Sequence, residues 1–494
     1  MIRISITAAL LLVANLSYAK PASIDSLYQQ NCASCHGANR LGGMGPALLP
    51  ENLKRLRQKK AIKVIASGRA ATQMPAFANK LSEKEIQSLV KYVYTPLAKI
   101  PKWEMDDINK SHILHFKPGT LSDKPIFKAD MLNLFIVVEL GDHSATLLDG
   151  DKFEAIQRFK TRFALHGGPK YSPDGRYVYF ASRDGWISKY DIYNLKTVKE
   201  VRAGINTRNV AVSGDGKTVL VGNYLPHNLV VLDAETLKPI KVIPVEDNGG
   251  KTSRVSAVYT ATPRNSFIAA LKDIPQVWEI PYNNKKAFSI RRIELDDYLD
   301  DFQFDQSYTH LMGSGRNAKN GQVIDLNMGR KIARLELTGL PHLGSGITWN
   351  YNGRPVMATP NIKKSEISII DMTTWKTIKK IKTLGPGFFM RSHENSPYAW
   401  ADVFFGPNKE AVHVIDKKTL EIVKTLKPAP GKNAAHVEFD RYGKHVLLSV
   451  WDIEGELIIY NADTLEEIKR MPMKKPSGKY NVFNKINRSA GTSH

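Results

Sequence analysis

The sequence predicts two unlike parts in one chain: a small all-α domain, then an all-β eight-bladed propeller. Three observations carry this. From about residue 130 one pattern recurs, an apolar strand ending in an apolar–Asp pair and followed by a turn and a basic strand. It falls at Leu148-Asp149, Tyr190-Asp191, Leu232-Asp233, Ile324-Asp325, Ile370-Asp371 and Ile415-Asp416, with degenerate copies at Ile280-Pro281 and Tyr460-Asn461. The intervals are 42, 42, 48, 44, 46, 45 and 45 residues, a period that marks strand-built blades closed around a channel. Second, the only two cysteines of the 494 residues stand together in Cys32-Ala33-Ser34-Cys35-His36. Third, Ser82-x-x-Glu85 reads as a capping box, with Ile86, Leu89, Val90 and Val93 behind it at helical spacing.

At the N-terminus, Arg3 precedes the apolar run Ala8-Ala9-Leu10-Leu11-Leu12-Val13-Ala14, and Ser17-Tyr18-Ala19 offers small residues for cleavage. The run is too short to cross a bilayer, so residues 1–19 are expected to be a secretory signal peptide, directing the chain to a periplasm. No later segment is apolar enough to span. Lys and Arg number 70 against 48 Asp and Glu, a formal charge of +22. In an exported chain this surplus argues for acidic redox partners, an anionic ligand or a solvated face rather than for nucleic acid.

Residues 22–98 form the expected helical domain. A Cys-x-x-Cys-His run attaches a c-type haem: the thiols of Cys32 and Cys35 form thioethers and His36 becomes an axial iron ligand. A zinc half-site would need further cysteines or a histidine-rich partner. A thioredoxin-like pair would follow a strand in a βαβ pattern. Neither context is present. Gly45-Pro46 ends ten residues after His36, where a loop packs beside that imidazole. Met74, before Pro75, supplies a thioether as second axial ligand, with Met44 its rival and core packing the other use of such a side chain. A linker over 99–125 leads to the propeller, 126–494. Ser172-Pro173-Asp174-Gly175, Ser213-Gly214-Asp215-Gly216 and Asp440-Arg441-Tyr442-Gly443 mark hairpin turns in one phase. The strand-like run Tyr480-Asn481-Val482-Phe483-Asn484 lies beyond the eighth repeat and is expected to return and complete the first blade.

The repeat phase sorts the thirteen histidines. His166 and His436 lie 25 residues before their markers, His342 lies 29 before and His393 lies 23 before. Arg208 at 25 and Arg254 at 27 share that phase. His143, His227, His413, His310 and His445 fall elsewhere. Equivalent positions of a propeller share height and radius, so the four histidines and two arginines are expected at one end of the channel. That set suits a large anionic tetrapyrrole: an imidazole for its iron, Arg forks for its carboxylates, and further imidazoles for proton transfer.

On these residues the chain resembles the cytochrome cd1 nitrite reductase family, whose members join a haem c domain to an eight-bladed propeller holding haem d1. Ala164-Leu165-His166 with Ser172-Pro173-Asp174-Gly175-Arg176-Tyr177 looks like the segment carrying the proximal haem d1 ligand. Leu340-Pro341-His342 and Arg391-Ser392-His393 resemble the distal-pocket segments, and Ser477-Gly478-Lys479-Tyr480-Asn481-Val482-Phe483-Asn484 the closing stretch. Two departures stand out: Cys32 lies close to the mature N-terminus, and His436, in Ala435-His436-Val437-Glu438-Phe439, takes a position where the reductases carry a small residue. Both resemble the branch of the family that acts in haem d1 biosynthesis as a dihydro-haem d1 dehydrogenase. That resemblance implies oxidation of a propionate of dihydro-haem d1 to the acrylate of haem d1, with the electrons passing to haem c. It implies His166 and His436 as ligands of the substrate iron, His342 and Tyr480 for proton transfer, and His393 shaping the pocket. Arg208 and Arg254, with Arg183 and Arg316, would hold carboxylates. The expected partners are the tetrapyrrole, a nitrite reductase receiving haem d1, and a soluble redox protein taking electrons. A nitrite reductase proper would instead use His342 with His393 as proton donors, and a non-catalytic haem d1 carrier would bind and release without redox change.

Overall fold

A computed structural model describes residues 23–487 apart from 43–44, 54–55, 69–73, 100–101, 118, 163–164, 284–287 and 317. The signal-peptide expectation, Met44 and Ala164 lie outside the described residues. The N-terminal part is built from helices Ile24–Asn31, Ala33–His36, Pro50–Leu53, Gln58–Ser67 and Glu83–Val93. The capping box forms as written: the Ser82 main-chain N–H donates to Glu85 Oε2 at 2.8 Å, and that of Glu85 to Ser82 Oγ at 3.3 Å. Ile86, Leu89 and Val93 turn inward onto Leu27, Tyr28 and Leu53.

Eight antiparallel sheets follow, one per repeat. Every sequence marker ends the third strand of its blade, from Ser144–Asp149 and Trp186–Asp191 through to Gly455–Asn461. The cause is local. In seven of the eight, all but Pro281, the marker carboxylate or amide turns back to accept main-chain N–H groups two or three residues on, as Asp371 Oδ1 does from Thr373 (2.7 Å) and Thr374 (3.0 Å). The ring closes where Pro476–Asn481 pairs with Leu134–Glu139 and becomes the innermost strand of the first blade. The closing strand thus stops at Asn481, earlier than the sequence suggests. Asn481 Oδ1 accepts the Asn484 N–H at 3.1 Å and starts a short helix, Val482–Asn487.

The stretch 99–125 is less free than a linker. Helix Met105–Lys110 buries Ile108 fully against the second and third blades. Trp103 Nε1 donates to the Arg202 carbonyl at 2.8 Å, and Ile113–Leu114 adds a fifth strand to the second blade. This strap seats the helical domain: Ala47 and Leu49 pack on Ile205 and Leu225 of the third blade, with Leu97 and Trp103 alongside. No helix among the described residues is long and apolar enough to cross a membrane.

Candidate functional site

Helical hydrogen bonding sets the haem c geometry. The Cys35 and His36 N–H groups both donate to the Cys32 carbonyl, at 3.2 and 2.9 Å, so the two thiols sit one turn apart, as two thioethers to one porphyrin need. His36 is buried, and its Nδ1 lies 2.8 Å from the Pro46 carbonyl. A carbonyl only accepts, so Nδ1 carries the proton and Nε2 keeps the lone pair an iron needs. Gly45 lies flat against this ring: a Cβ there would stand 2.6 Å from Cε1 and 2.7 Å from Nδ1. These residues fit a haem. Met74 is half-buried, its carbonyl beside Gly68.

In the propeller, each innermost strand runs from a mouth end to a hairpin turn. His166 and His342 sit at the mouth, their N–H groups donating to the carbonyls of Ala181 and Pro360 at 2.9 Å each. Arg254 lies immediately before Val255–Ala261, and Arg208 is the third residue of Asn206–Val212. His393 corrects the expectation. Its carbonyl accepts the Ser396 N–H at 3.1 Å, the bond that closes the equivalent turns at Ser213–Gly216 (2.9 Å) and Asp440–Gly443 (3.1 Å). It therefore occupies the turn end, fully buried, beside Phe439 and Gly443. The connection from Tyr398–Asp402 to Val412–Asp416 takes nine residues, against four from Tyr177–Ala181 to Trp186–Asp191, so a count back from the marker misjudged its height.

Three histidines and a tyrosine remain together, strung on aromatic contacts. The His342 ring is 4.1 Å from Phe388, Phe388 is 4.5 Å from Phe389, Phe389 is 4.6 Å from His436, and His436 is 5.6 Å from Tyr480. The Tyr480 ring lies against Gly168, two residues past His166. Backbone carbonyls set the tautomers: His166 Nδ1 is 2.7 Å from the Arg208 carbonyl and His342 Nδ1 is 2.6 Å from that of Phe388. Both rings thus keep their lone pair at Nε2. His342 Nε2 lies 3.5 Å from Asp301 Oδ2. Burial lowers the pKa of His166, His342 and His436 below the usual histidine value, holding them as the neutral bases that iron ligation and proton abstraction require. His436 stands at a β-bulge with φ 54°, between the pairs Ala435–Ser449 and Val437–Leu448. Its buried Nδ1 has no hydrogen-bond partner among the described residues.

A cationic wall flanks His166. Arg208 lays its guanidinium against both imidazole nitrogens. Arg183 and Lys272 lie near enough to add to the field on the ring. Burial works to raise the Tyr224 phenol, but Arg208, Lys272 and Arg183 together bring it down to about 7. Arg254 stacks over the Tyr224 ring with its fork committed to Asp273 at 2.6 and 2.8 Å. Arg316 exposes its side chain and donates its backbone N–H to Asp300 at 2.5 Å. Arg254 is therefore less available to a carboxylate than the sequence suggested, whereas the bond at Arg316 engages only its backbone. Tyr224 and Lys272 were missed, although both lie nine residues before their blade markers, Asp233 and Pro281. That second row was legible in the same phase. Asp402, whose burial pushes its carboxyl up to about 6, and the Phe388-Phe389 pair were also missed.

Among the described residues, no group of three or more His, Cys, Asp or Glu would hold a bare metal ion. A separate cavity of about 460 Å³ opens at the turn end, lined by Pro173, Gly214, Pro263, Asp305 and Lys485 and by none of the histidines.

Residues 129–485 match the family model described as "Cytochrome D1 heme domain", and residues 19–93 match "Cytochrome C oxidase, cbb3-type, subunit III". The chain is 57% identical over 484 residues to the dihydro-heme d1 dehydrogenase of Pseudomonas aeruginosa, covering 98% of each. It is 25% identical over 519 residues to the nitrite reductase of Stutzerimonas stutzeri, covering 93% of this chain and 92% of that one. The solved structure of dihydro-heme d1 dehydrogenase NirN in complex with DHE superposes with a TM-score of 0.86 at 57% identity, over 94% of this chain and 99% of that one.

Proposed function

Because this chain belongs to the family built on the cytochrome d1 haem domain, we propose that it is a dihydro-haem d1 dehydrogenase. It oxidises the propionate of dihydro-haem d1 to the acrylate of haem d1. The observation that carries this reading is His436, a buried neutral imidazole in the ring of side chains that also holds His342 and Tyr480. With His166 it takes both axial positions of the substrate iron, which leaves no open site for nitrite. The distance of His393 from His342, at opposite ends of their strands, argues against the paired proton donors of a nitrite reductase.

Desaturating a CH2–CH2 unit removes two protons and two electrons. His342, with its lone pair at Nε2, and Tyr480 take the protons at the reacting side chain. Arg208, Arg183, Lys272 and Tyr224 grip peripheral carboxylates, with Arg254 and Arg316 in support. Haem c, when bound to Cys32, Cys35, His36 and Met74, supplies a one-electron acceptor, so the two electrons leave singly. Ala47 and Leu49, just past the Gly45-Pro46 pair that covers His36, pack on Ile205, three residues from Arg208, which brings the acceptor to the mouth end. The protein works in the periplasm, passing electrons to a soluble redox protein and haem d1 to a nitrite reductase.

The test is anaerobic turnover of the haem-c-loaded protein with dihydro-haem d1. Haem d1 should accumulate as haem c becomes reduced. Rapid reduction of nitrite to nitric oxide, with dihydro-haem d1 surviving, would overturn the reading. Transfer of tetrapyrrole without haem c reduction would make the protein a carrier.

A further inference from the structure

Asp402 is almost completely buried, at 1% exposure, at the end of strand Tyr398–Asp402 of the seventh blade. Its carboxylate accepts three main-chain N–H groups: Oδ1 from Phe388 at 2.8 Å and Phe389 at 3.0 Å, and Oδ2 from His436 at 3.1 Å. The last of these is the extra residue of the bulge, which the sheet ladder skips and which would otherwise be left without a partner. The opposite side of the same residue is also held, since the buried Nζ of Lys479 donates to the His436 carbonyl and, at 2.8 Å, to Ser449 Oγ. Two buried polar side chains thus clamp the backbone of one left-handed histidine. The other oxygen of Asp402 secures the loop whose Phe388 carbonyl orients His342 and whose Phe389 ring rests on the His436 imidazole.

The geometry points to Asp402 as a positioning residue that holds His436 as an iron ligand and His342 as a proton-transfer group on the same face of the substrate. It touches neither substrate nor iron and acts through the backbone. This rests on the function proposed above and adds a residue to it. The chemistry explains the choice of side chain: a carboxylate has two oxygens and enough lone pairs to accept all three N–H groups with no donor in the way, and charge-assisted bonds resist displacement by water.

The test uses the full haem-c-loaded chain reconstituted anaerobically with dihydro-haem d1, in three forms: Asp402→Asn, His436→Ala and the double variant. Absorption and electron paramagnetic resonance read the axial ligation of the tetrapyrrole iron. The haem c spectrum and far-ultraviolet circular dichroism report folding. His436→Ala should convert a low-spin, two-imidazole signature to a high-spin one. Asp402→Asn, which turns a donor amide toward one of the N–H groups, should convert part of the population the same way and lower kcat at least tenfold. The double variant should show no ligation change beyond His436→Ala alone. If Asp402→Asn does not fold, Asp402→Ser is read by the same signature. A folded Asp402 variant with wild-type ligation and rate, beside a His436→Ala that has lost ligation, overturns the proposal. So does a double variant whose effects simply add. An unchanged signature in His436→Ala itself is a different failure, that of the ligand reading on which this one stands.

Discussion

Replacing Gly45 with alanine should damage the haem c site without replacing an iron ligand. The new Cβ would stand 2.6 Å from His36 Cε1, where ordinary contact begins at 3.4 Å, so ring or loop must give by about 0.8 Å. The loop has little room to retreat, because the Gly45 N–H donates to the Cys35 carbonyl at 2.5 Å. The ring must therefore shift, and a movement of that size stretches the 2.8 Å contact between Nδ1 and Pro46 beyond hydrogen-bonding range. Losing that bond costs about 1 kcal/mol, and the overpacking about 1–3 kcal/mol more. Gly45 is not in the left-handed region, so the penalty is one of space rather than backbone freedom. Thermal unfolding followed at the haem c absorbance, with a redox titration of the same band, measures it. An alanine variant with the parent's melting curve, midpoint potential and spectrum would refute the close packing of Gly45 on the axial imidazole.

His342→Ala should lower the rate of tetrapyrrole oxidation by about 10²–10⁴-fold, as loss of a general base does. His393→Ala should leave it within about twofold, its side chain lying at the turn end; a comparable loss in both, by stopped-flow, would restore His393 to the pocket. Ile205→Ala, opening a cavity where the helical domain sits on the third blade, should cost about 2–4 kcal/mol. It should slow haem c reduction by bound substrate while tetrapyrrole affinity stays constant, and unchanged kinetics would refute that seating. His413 makes the propeller acid-sensitive. Its Nε2 accepts the Leu384 N–H at 3.1 Å, so the fold needs the neutral ring, and burial lowers its pKa from 6.5 to about 4. The unfolded chain binds the extra proton first, so this stability is complete above pH 6.5 and is lost as pH falls toward 4. The loss is on the order of 2 kcal/mol after allowing for solvent screening. His413→Gln should flatten that part of the stability–pH curve, and an unaltered slope would count against the assignment.

What was legible depended on whether the causal contact was local in sequence. The blade markers could be read because an aspartate that turns a strand binds N–H groups two or three residues ahead. The capping box and the Cys-x-x-Cys-His run are local for the same reason. Phase counting reached further, placing His166, Arg208, Arg254 and His342 at the mouth, because the stretch from hairpin turn to marker is nearly constant, 19 residues from Ser172 to Asp191 and 20 from Ser213 to Asp233. It failed at His393, where a nine-residue connection between Tyr398–Asp402 and Val412–Asp416 moved the turn to the histidine, and it overran at Asn481, whose side chain caps a helix. Asp402 had no signature at all. Its partners are backbone groups 13, 14 and 34 residues away, and backbone groups are the same under every sequence.

By itself, then, the sequence determined the architecture and the chemical inventory: a haem c attachment site, eight strand-built repeats, and a stock of imidazoles and guanidinium groups in register. Those follow from short-range hydrogen bonding and hydrophobic periodicity, which each segment carries alone. Only the tertiary structure decided which of them meet. Ring closure carried His393 away from His342. A bulge one residue long, clamped by Asp402 and Lys479, set His436 beside Tyr480, because the height of a side chain in a closed channel depends on the lengths of every strand and turn before it.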